Sequence, residues 1–443
     1  MNLKTATLRA LTCIAVTLWM SGSAHADHDQ SGSVPGPRKL KDKGILAVVV
    51  ELGPFLINSL YLSGEGPGRI RSISVEELIA NQKTIWIEPT EGMSKELVAL
   101  NEGNPSFQAA NPPGTQFPVS PLLREPEQHR INPATTKDAL YWVRGAKLEI
   151  VDEKGRILER PEFLCHSLIT LDKAKHEEYF AKSSVMSPGI LFNFSQGITQ
   201  ILFPKDYALP LNSHERLRFD YKSLNRTSDQ SRHIKCRWTL YLLADNPLAR
   251  SIKPLNLLHS GVNVVIGGAD DPNRLLPTGC GARCALHVMG KDAPNDMLHR
   301  KLNAPFDKNE KGQEITWHWV IPPGRHSYRT WLPENYFEDQ GPIRAAGAHV
   351  HPFCEEMSLI EVRPGRPDKN VFTIYSQTDS SHGIQIAHID YLTWPNTGIL
   401  LDKHATYGWE VTYNNTSGVD QDSMAFATLY FDNLNFQKPG WAL

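Results

Sequence analysis

The sequence predicts an all-β protein built from two β-sandwich domains. From about residue 140 to residue 433, apolar and polar residues alternate with a period of two, which places one face of each strand on a core. The 31 Gly and 31 Pro among 443 residues imply many turns and disfavour a long helical bundle. Many short strands joined by turn residues are typical of β-sandwiches.

The composition excludes two broad classes of protein. The net charge is −2, from 46 Lys and Arg against 48 Asp and Glu, so no basic field exists to hold nucleic-acid phosphates. Hydrophobic residues make up 40% of the chain and charged residues 21%, which excludes a disordered chain. We therefore expect a globular protein that binds no nucleic acid.

The first 26 residues are typical of an export signal. Lys4 and Arg9 precede an apolar run over 11–20, and Ala24-His25-Ala26 supplies a small-x-small cleavage site. The apolar run is too short to stay in a bilayer. We expect a signal peptide over residues 1–26 and a periplasmic or secreted location, with residues 27–43 as a flexible leader.

Residues 44–139 are expected to form an N-terminal extension that includes a Pro-rich loop over 101–132. Its apolar stretch, 45–62, is interrupted by Glu51 and Pro54, so we expect no membrane span after signal removal. A pair of buried strands around Gly53-Pro54 is predicted instead. The pattern leaves open whether this region is a separate subdomain or extends the first sandwich.

The alternation then predicts the elements of the two sandwiches in order. A boundary near Asp245-Asn246-Pro247, or in the following Lys253-Pro254 segment, divides them into a first sandwich over 140–247 and a second over 255–433. Helical patterns are few, with one over 74–81 and a weaker one over 173–181. The predicted strands include 146–150, 216–219, 234–242, 315–321, 345–351, 357–362, 371–375, 407–413 and 423–431.

Five cysteines follow the signal, an odd number. In an oxidising compartment Cys280 and Cys284 can close a small loop, and Cys165 could join Cys236 in a disulfide between two strands. Sequence alone proves neither pairing. Cys354 is then a thiol left over, with burial as a small apolar residue slightly favoured over a functional role.

The segment Ala348-His349-Val350-His351 is the sharpest candidate for chemistry. Residues two apart on a strand share a face, so His349 and His351 present both imidazoles to one region, with Cα atoms roughly 6.5 Å apart. That spacing lets both rings reach one metal ion at about 2 Å. The competing interpretation is two half-exposed strand histidines.

Met424 strengthens the metal hypothesis. It opens an apolar strand directly after the acidic turn 420–422, and its thioether is a soft ligand that suits copper better than zinc or magnesium. The competing interpretation for a single Met on a strand is core packing. Two imidazoles and one thioether would leave a coordination position open for oxygen or substrate.

On these residues the chain resembles the copper type II, ascorbate-dependent monooxygenases, the peptidylglycine α-hydroxylating and dopamine β-monooxygenase family. The segment 319–324 is similar to an Ile-Pro-Pro strand entry of that family, 349–351 to its His-x-His strand, and 408–424 to the segment that delivers its methionine. The resemblance covers roughly residues 140–433. It implies two jelly-roll-like β-sandwiches in tandem, with His349, His351 and Met424 as the ligands of the copper that binds oxygen.

The first half matches the same family less completely. The strand 163–168 resembles the one that carries a His-His pair for an electron-transfer copper, but Cys165 replaces one histidine and only His166 remains. Asp220 stands where the resemblance implies a third histidine. His166 and Asp220 are therefore weaker candidates for a first copper site. His176, His214 and His233 lie nearby in sequence and could substitute.

Three functions remain open from sequence. The first is an exported copper oxidoreductase that activates oxygen and acts on a small-molecule substrate with electrons from ascorbate or another reductant. The second is a non-catalytic periplasmic protein that binds or delivers copper through the same fold. The third is an interaction module whose histidines are incidental and whose Pro-rich loop docks a protein partner.

Overall fold

A computed structural model describes most of the chain from residue 45 onward. The described ranges are 45–57, 73–80, 85–87, 137–158, 163–180, 186–187, 189–223, 232–265, 307–308, 312–317, 319–381 and 384–442. The predicted signal peptide, the leader, the Pro-rich loop, Cys280 and Cys284 lie outside these ranges. Within the described ranges, no helix is long and apolar enough to cross a membrane.

The all-β prediction is confirmed, because 60% of the structure is strand and only 6% is helix. Helices α1 (Val75–Ala80) and α2 (Lys173–Phe180) agree with the two predicted helical segments, and a 3-10 turn spans Pro247–Ala249. The strands of the first half are β1 (Ile45–Ile57), β2 (Ile73–Ser74), β3 (Ile85–Ile87), β4 (Leu140–Asp152), β5 (Leu164–Leu171), β6 (Met186–Ser187), β7 (Ile190–Ser195), β8 (Gln200–Leu202), β9 (Tyr207–Asn212), β10 (Arg216–Ser223) and β11 (Arg232–Ala244).

The second half repeats the pattern of short antiparallel strands. They are β12 (Lys253–Val262), β13 (Val264–Val265), β14 (Asp307–Lys308), β15 (Glu314–Thr316), β16 (Trp319–Ile321), β17 (Gly324–Trp331), β18 (Ile343–Val350), β19 (Cys354–Val362), β20 (Lys369–Asp379), β21 (Gln385–Ile389), β22 (Leu392–Thr393), β23 (Thr406–Asn415), β24 (Gln421–Ser423) and β25 (Ala425–Asp432). Every predicted strand of the two sandwiches coincides with one or two of these.

One long sheet forms a layer of both sandwiches. Its order is β22-β18-β25-β12-β9-β4-β11-β1-β3, with β6 beside β12 and β8 beside β4. The halves join where β12 pairs in parallel with β9, at Lys253 with Tyr207 and Pro254 with Ala208. The described residues of the two halves accordingly belong to one compact unit.

A smaller sheet covers each half of the long one, and a buried tryptophan crosses each core. The four-stranded sheet β2-β10-β5-β7 covers the first half, where Trp238 donates from its indole nitrogen to Ser167 Oγ at 2.9 Å. The five-stranded sheet β17-β23-β19-β20-β21 covers the second, where Trp409 donates to Ser260 Oγ at 3.0 Å. Both indoles are fully buried, as expected for large aromatic side chains that anchor a core.

The N-terminal extension contributes directly to the first sandwich. β1 pairs antiparallel with β11 along its whole length, and only a register shift between Leu52 and Phe55 interrupts the ladder. The prediction of two strands around Gly53-Pro54 is therefore wrong in detail. β1 continues through the proline as one strand. Its hydrogen-bond ladder is irregular there, because proline lacks the N–H that a regular ladder requires.

The predicted disulfide between Cys165 and Cys236 is not formed. The structure holds no disulfide among its described residues. Cys236 is fully buried and hydrogen-bonded to the Tyr221 side chain. Burial raises the pKa of its thiol well above the ordinary value.

Candidate metal centre

The two sequence-predicted histidines lie side by side at the end of β18. His349 and His351 are 4% and 5% exposed, and the strand alternation puts both on one face of the long sheet. Their ring centroids are 5.4 Å apart and their planes lie at 84°. The competing interpretation of two half-exposed strand histidines does not describe these buried rings.

Met424 lies directly across from His351, between β24 and β25. Val350 pairs with Ala425, so the next antiparallel rung sets His351 opposite Met424, on the same face. The Met424 carbonyl accepts a hydrogen bond from the His351 backbone N–H at 3.2 Å and another from the Tyr413 hydroxyl at 2.6 Å. The Met424 side chain is half-buried. The structure thus places the Met424 backbone against His351, between β24 and β25.

The spacing of the two imidazoles is compatible with one shared metal ion. Two imidazoles that share an ion at the usual metal–nitrogen distance of about 2 Å, in tetrahedral geometry, have ring centroids about 5 Å apart. The observed 5.4 Å is close to that value. Imidazole and thioether are ligands that copper accepts. Among the described residues, no three His, Cys, Asp or Glu side chains are arranged to hold an ion as they stand, so this donor set depends on the thioether.

His166 reaches the same place from the other sandwich. It points from the outer face of β5, half-buried, and its ring centroid lies 5.4 Å from that of His349 at a plane angle of 73°. Its Nδ1 is 3.4 Å from the Cys165 sulfur. The contact places His166 of β5 against His349 of β18.

The other first-site candidates have different partners. Asp220 accepts from the Arg218 guanidinium, with Nε 3.1 Å from Oδ2. The three histidines that could have substituted each lie near a carboxylate: His176 with Glu215 at 2.6 Å, His214 with Glu76 at 3.6 Å and His233 with Glu153 at 3.3 Å. These contacts with carboxylates engage the three side chains within the first sandwich.

Sequence reasoning missed the aromatic surroundings of the site. Phe426 pairs with His349 across β18 and β25, and its ring stacks on His259 at 5.3 Å and 16°. The Trp317 ring contacts the Phe426 ring edge-on, with 5.9 Å between their centroids. The alternation of β25 would have found Phe426, since residues 424, 426 and 428 must share one face. His259 carried no comparable signal.

Cys354 is not placed to act as a ligand in its present state. It is 3% exposed, and its thiol donates to the Glu356 carbonyl oxygen at 3.7 Å. Burial raises the pKa of the Cys354 thiol to about 12. Metals bind the thiolate, so a thiol held protonated at neutral pH is a poor ligand. The structural role favoured from sequence is consistent with this environment.

Comparison with known proteins identifies no family. No family model matches the chain, and no curated protein matches it significantly. An archaeal virus protein with a triple jelly roll fold matches with 7% identity and a TM-score of 0.17, over 67% of this chain and 53% of that one. The chain thus spans about half of that protein. None of the structural neighbours is a copper monooxygenase.

Two further solved structures are similarly distant. The STIV MCP matches with 6% identity and a TM-score of 0.22, over 68% of this chain and 88% of that one. A mutant oxalate decarboxylase of Bacillus subtilis matches with 8% identity and a TM-score of 0.15, over 68% and 70%. Similarity at this level carries no argument about the site.

Proposed function

We propose that this chain is an exported copper-binding oxidoreductase in which His349, His351 and Met424 bind one copper ion. The observation that carries the proposal is the contact of two buried imidazoles, 5.4 Å between ring centroids, next to Met424, whose backbone carbonyl accepts from the His351 N–H. Imidazole is a ligand that suits copper, and a soft thioether suits it better than it suits zinc or magnesium.

Bound copper would supply one-electron redox chemistry and a coordination position for oxygen. Insertion of one oxygen atom of O₂ into a substrate C–H bond consumes two electrons and two protons and releases one water. A small reductant of the ascorbate class would have to deliver both electrons, one at a time. The role of the chain is to hold the two imidazoles on one rigid strand and to border the site with Phe426 and Trp317, which limit the access of water.

A second candidate function is a copper-binding protein without turnover. The ion pair of Asp220 with Arg218 favours it, because this carboxylate is engaged where the resemblance implies a ligand of an electron-transfer copper. Both functions predict copper at the same residues. They differ in whether reduced, copper-loaded protein consumes oxygen in the presence of a substrate.

The first test replaces a ligand. We expect the purified chain to bind one copper ion, and we expect His351→Ala to lower the bound copper by at least about tenfold because one of the few ligands is lost. Metal analysis after dialysis measures the stoichiometry. Oxygen uptake with ascorbate, measured on the same samples, separates the oxidoreductase from the binder.

His388→Ala is the matched control. This imidazole is on β21, is partly exposed and bonds to Asp390 at 2.9 Å, so its loss should leave copper binding unchanged. Circular dichroism must show that both variants are folded. Copper content equal to wild type in a folded His351→Ala protein would reject the site, and copper binding without oxygen uptake would select the binder.

A further inference from the structure

We propose that the outer face of the five-stranded sheet binds an extended, uncharged polysaccharide chain, with the Trp331 ring as its main contact. The proposal is independent of copper. The direction of this face follows from Trp409, which points inward and donates to Ser260 Oγ of the long sheet. Its neighbours on β23, Gly408 and Glu410, therefore point outward, because side chains alternate along a strand.

The Trp331 side chain lies across the neighbouring strand. Trp331 pairs with Gly408, and a Cβ on Gly408 would stand 2.6 Å from the ring carbon Cε3, so the indole occupies the space of the missing side chain. The Arg329 guanidinium lies 5.0 Å from the ring centroid and helps to hold it. Trp331 is nevertheless 51% exposed. It offers a flat apolar surface on which the C–H face of a sugar ring can stack.

The charges beside the Trp331 ring favour a neutral ligand. Arg329 donates from Nε to Glu410 Oε2 at 2.8 Å and from Nη1 to Asp368 Oδ2 at 2.9 Å. These charged groups already have partners of opposite sign, so a charged ligand would have to compete with the existing ion pairs. The carboxylate oxygens can accept further hydrogen bonds, and sugar hydroxyls can donate them.

Small hydroxyl side chains form the middle of the same face. Ser327 is bonded to Thr412 at 3.0 Å, and Ser358 to Thr373 at 2.8 Å. Ser358 is opposite Glu410 in the sheet, which places it on the outer face. Hydroxyls both donate and accept hydrogen bonds, so this surface matches the hydroxyls of a polysaccharide.

A second exposed aromatic ring marks the far side of the face. Tyr375 is 55% exposed and pairs with Glu356, which in turn pairs with Thr412. Three strand spacings of about 4.8 Å, and about four residues along the strands at about 3.4 Å each, put Tyr375 roughly 20 Å from Trp331. One sugar cannot reach both rings, whereas an extended chain of several sugars can.

Binding to defined polymers tests the proposal on the full chain. We expect hydroxyethyl cellulose to retard the protein in native gels, and cellohexaose to bind in calorimetric titration where glucose does not. The affinity should change little when NaCl is raised to about 0.5 M, because the ligand is uncharged. Absence of binding to hydroxyethyl cellulose, or binding only to acidic polygalacturonate, would overturn the proposal.

Trp331→Ala makes the assignment specific. Loss of the stacking surface should weaken binding of cellohexaose by at least about tenfold, as for other aromatic anchors. Leu248→Ala is the matched control, since it removes an exposed apolar side chain in the 3-10 turn of Pro247–Ala249 and should leave binding unchanged. Circular dichroism checks that both variants are folded.

Two results with these variants would refute the polysaccharide site. The first is wild-type affinity in folded Trp331→Ala protein. The second is a wild-type dimer, detected by analytical ultracentrifugation, that Trp331→Ala dissociates while neither protein binds the polymer. That second result would assign the face to another copy of this chain.

Discussion

At the scale of single residues, histidines in this protein serve different purposes according to what surrounds their nitrogens. His259 is buried and makes two neutral hydrogen bonds, donating from Nε2 to the Ile190 carbonyl and accepting at Nδ1 from the Thr428 hydroxyl at 2.9 Å. Burial lowers the pKa of His259 to about 4. His259 thus links the two sandwiches by hydrogen bonds. Its ring stacks on Phe426, which pairs with His349 across the sheet.

The depressed pKa makes stability depend on pH. In the unfolded chain His259 takes up a proton near its ordinary pKa of about 6.5, whereas the folded protein resists protonation until about pH 4. The full contribution of His259 is present above pH 6.5 and is lost as the pH falls toward 4, by at most about 3 kcal/mol. Urea unfolding at pH 7.5, 5.5 and 4.5 should show this decline.

His259→Gln provides the comparison. The amide can donate and accept but does not titrate in this range, so the variant should lose less stability between pH 7.5 and 4.5 than wild type. Parallel pH profiles for the two proteins would contradict the assignment of the titration to His259.

At the scale of elements, the position of the proposed ligands depends on how closely β12 approaches β25. Gly261 pairs with Phe426, and a Cβ on Gly261 would clash with the Ala425 carbonyl oxygen and stand 2.9 Å from the Phe426 Cα. These are backbone atoms, which cannot give way as a flexible side chain can. Glycine here is needed for close approach rather than for an unusual backbone angle.

We therefore expect Gly261→Ala to push β12 away from β25. The expected cost is about 1 to 3 kcal/mol of unfolding free energy, with weaker copper binding because Met424 and Phe426 would shift with their strand. Chemical denaturation and copper titration measure the two effects.

Gly440→Ala is a suitable control, because a Cβ there meets nothing within 4 Å. Its stability should stay within about 0.5 kcal/mol of wild type. If Gly261→Ala were as stable as this control, the close approach would not be required.

At the scale of the whole molecule, the two sandwiches are coupled by more than their shared sheet. Arg344 donates from Nε to Asp432 Oδ1 at 2.8 Å within the second sandwich and lies over the Tyr207 ring of the first, 4.8 Å from its centroid. On the other side, the turn at Gly197 packs on β21, where the Ile389 N–H donates to the Gly197 carbonyl at 3.0 Å. We expect these contacts to make unfolding cooperative across both sandwiches.

Gly197→Ala tests the coupling. The residue has φ +82°, and a Cβ would stand 2.8 Å from the His388 carbonyl carbon and 2.9 Å from the Ile389 nitrogen. The left-handed angle alone costs about 1 to 2 kcal/mol for a residue with a side chain. The backbone clash adds to it, so we expect a total loss of at least about 2 kcal/mol in unfolding free energy.

Gly365→Ala is the control that separates the backbone clash at Gly197 from the cost of its left-handed backbone angle. Gly365 has φ +72° but its Cβ would meet nothing within 4 Å, so it carries only the conformational cost. Differential scanning calorimetry should show a single transition in all three proteins, lowered most in Gly197→Ala. Equal transition temperatures for the two variants, or two separate transitions in wild type, would contradict the coupling.

The strand pattern and the histidine pair were readable from sequence because both depend on local periodicity. Alternation located β11, β18 and β23, and the same period of two placed His349 and His351 on one face. It did not show that β1 is a single strand, because the ladder with β11 tolerates Gly53-Pro54 and that tolerance depends on the partner strand.

The sequence by itself determined the all-β class, the positions of the strands along the chain and the shared strand face of two imidazoles. Only the tertiary structure decided that β9 and β12 join the halves into one sheet, and that the His166 ring contacts that of His349. The physical reason is that period and spacing act along a few neighbouring residues, whereas these contacts join segments about 45 and 180 residues apart, whose meeting depends on how whole sheets pack.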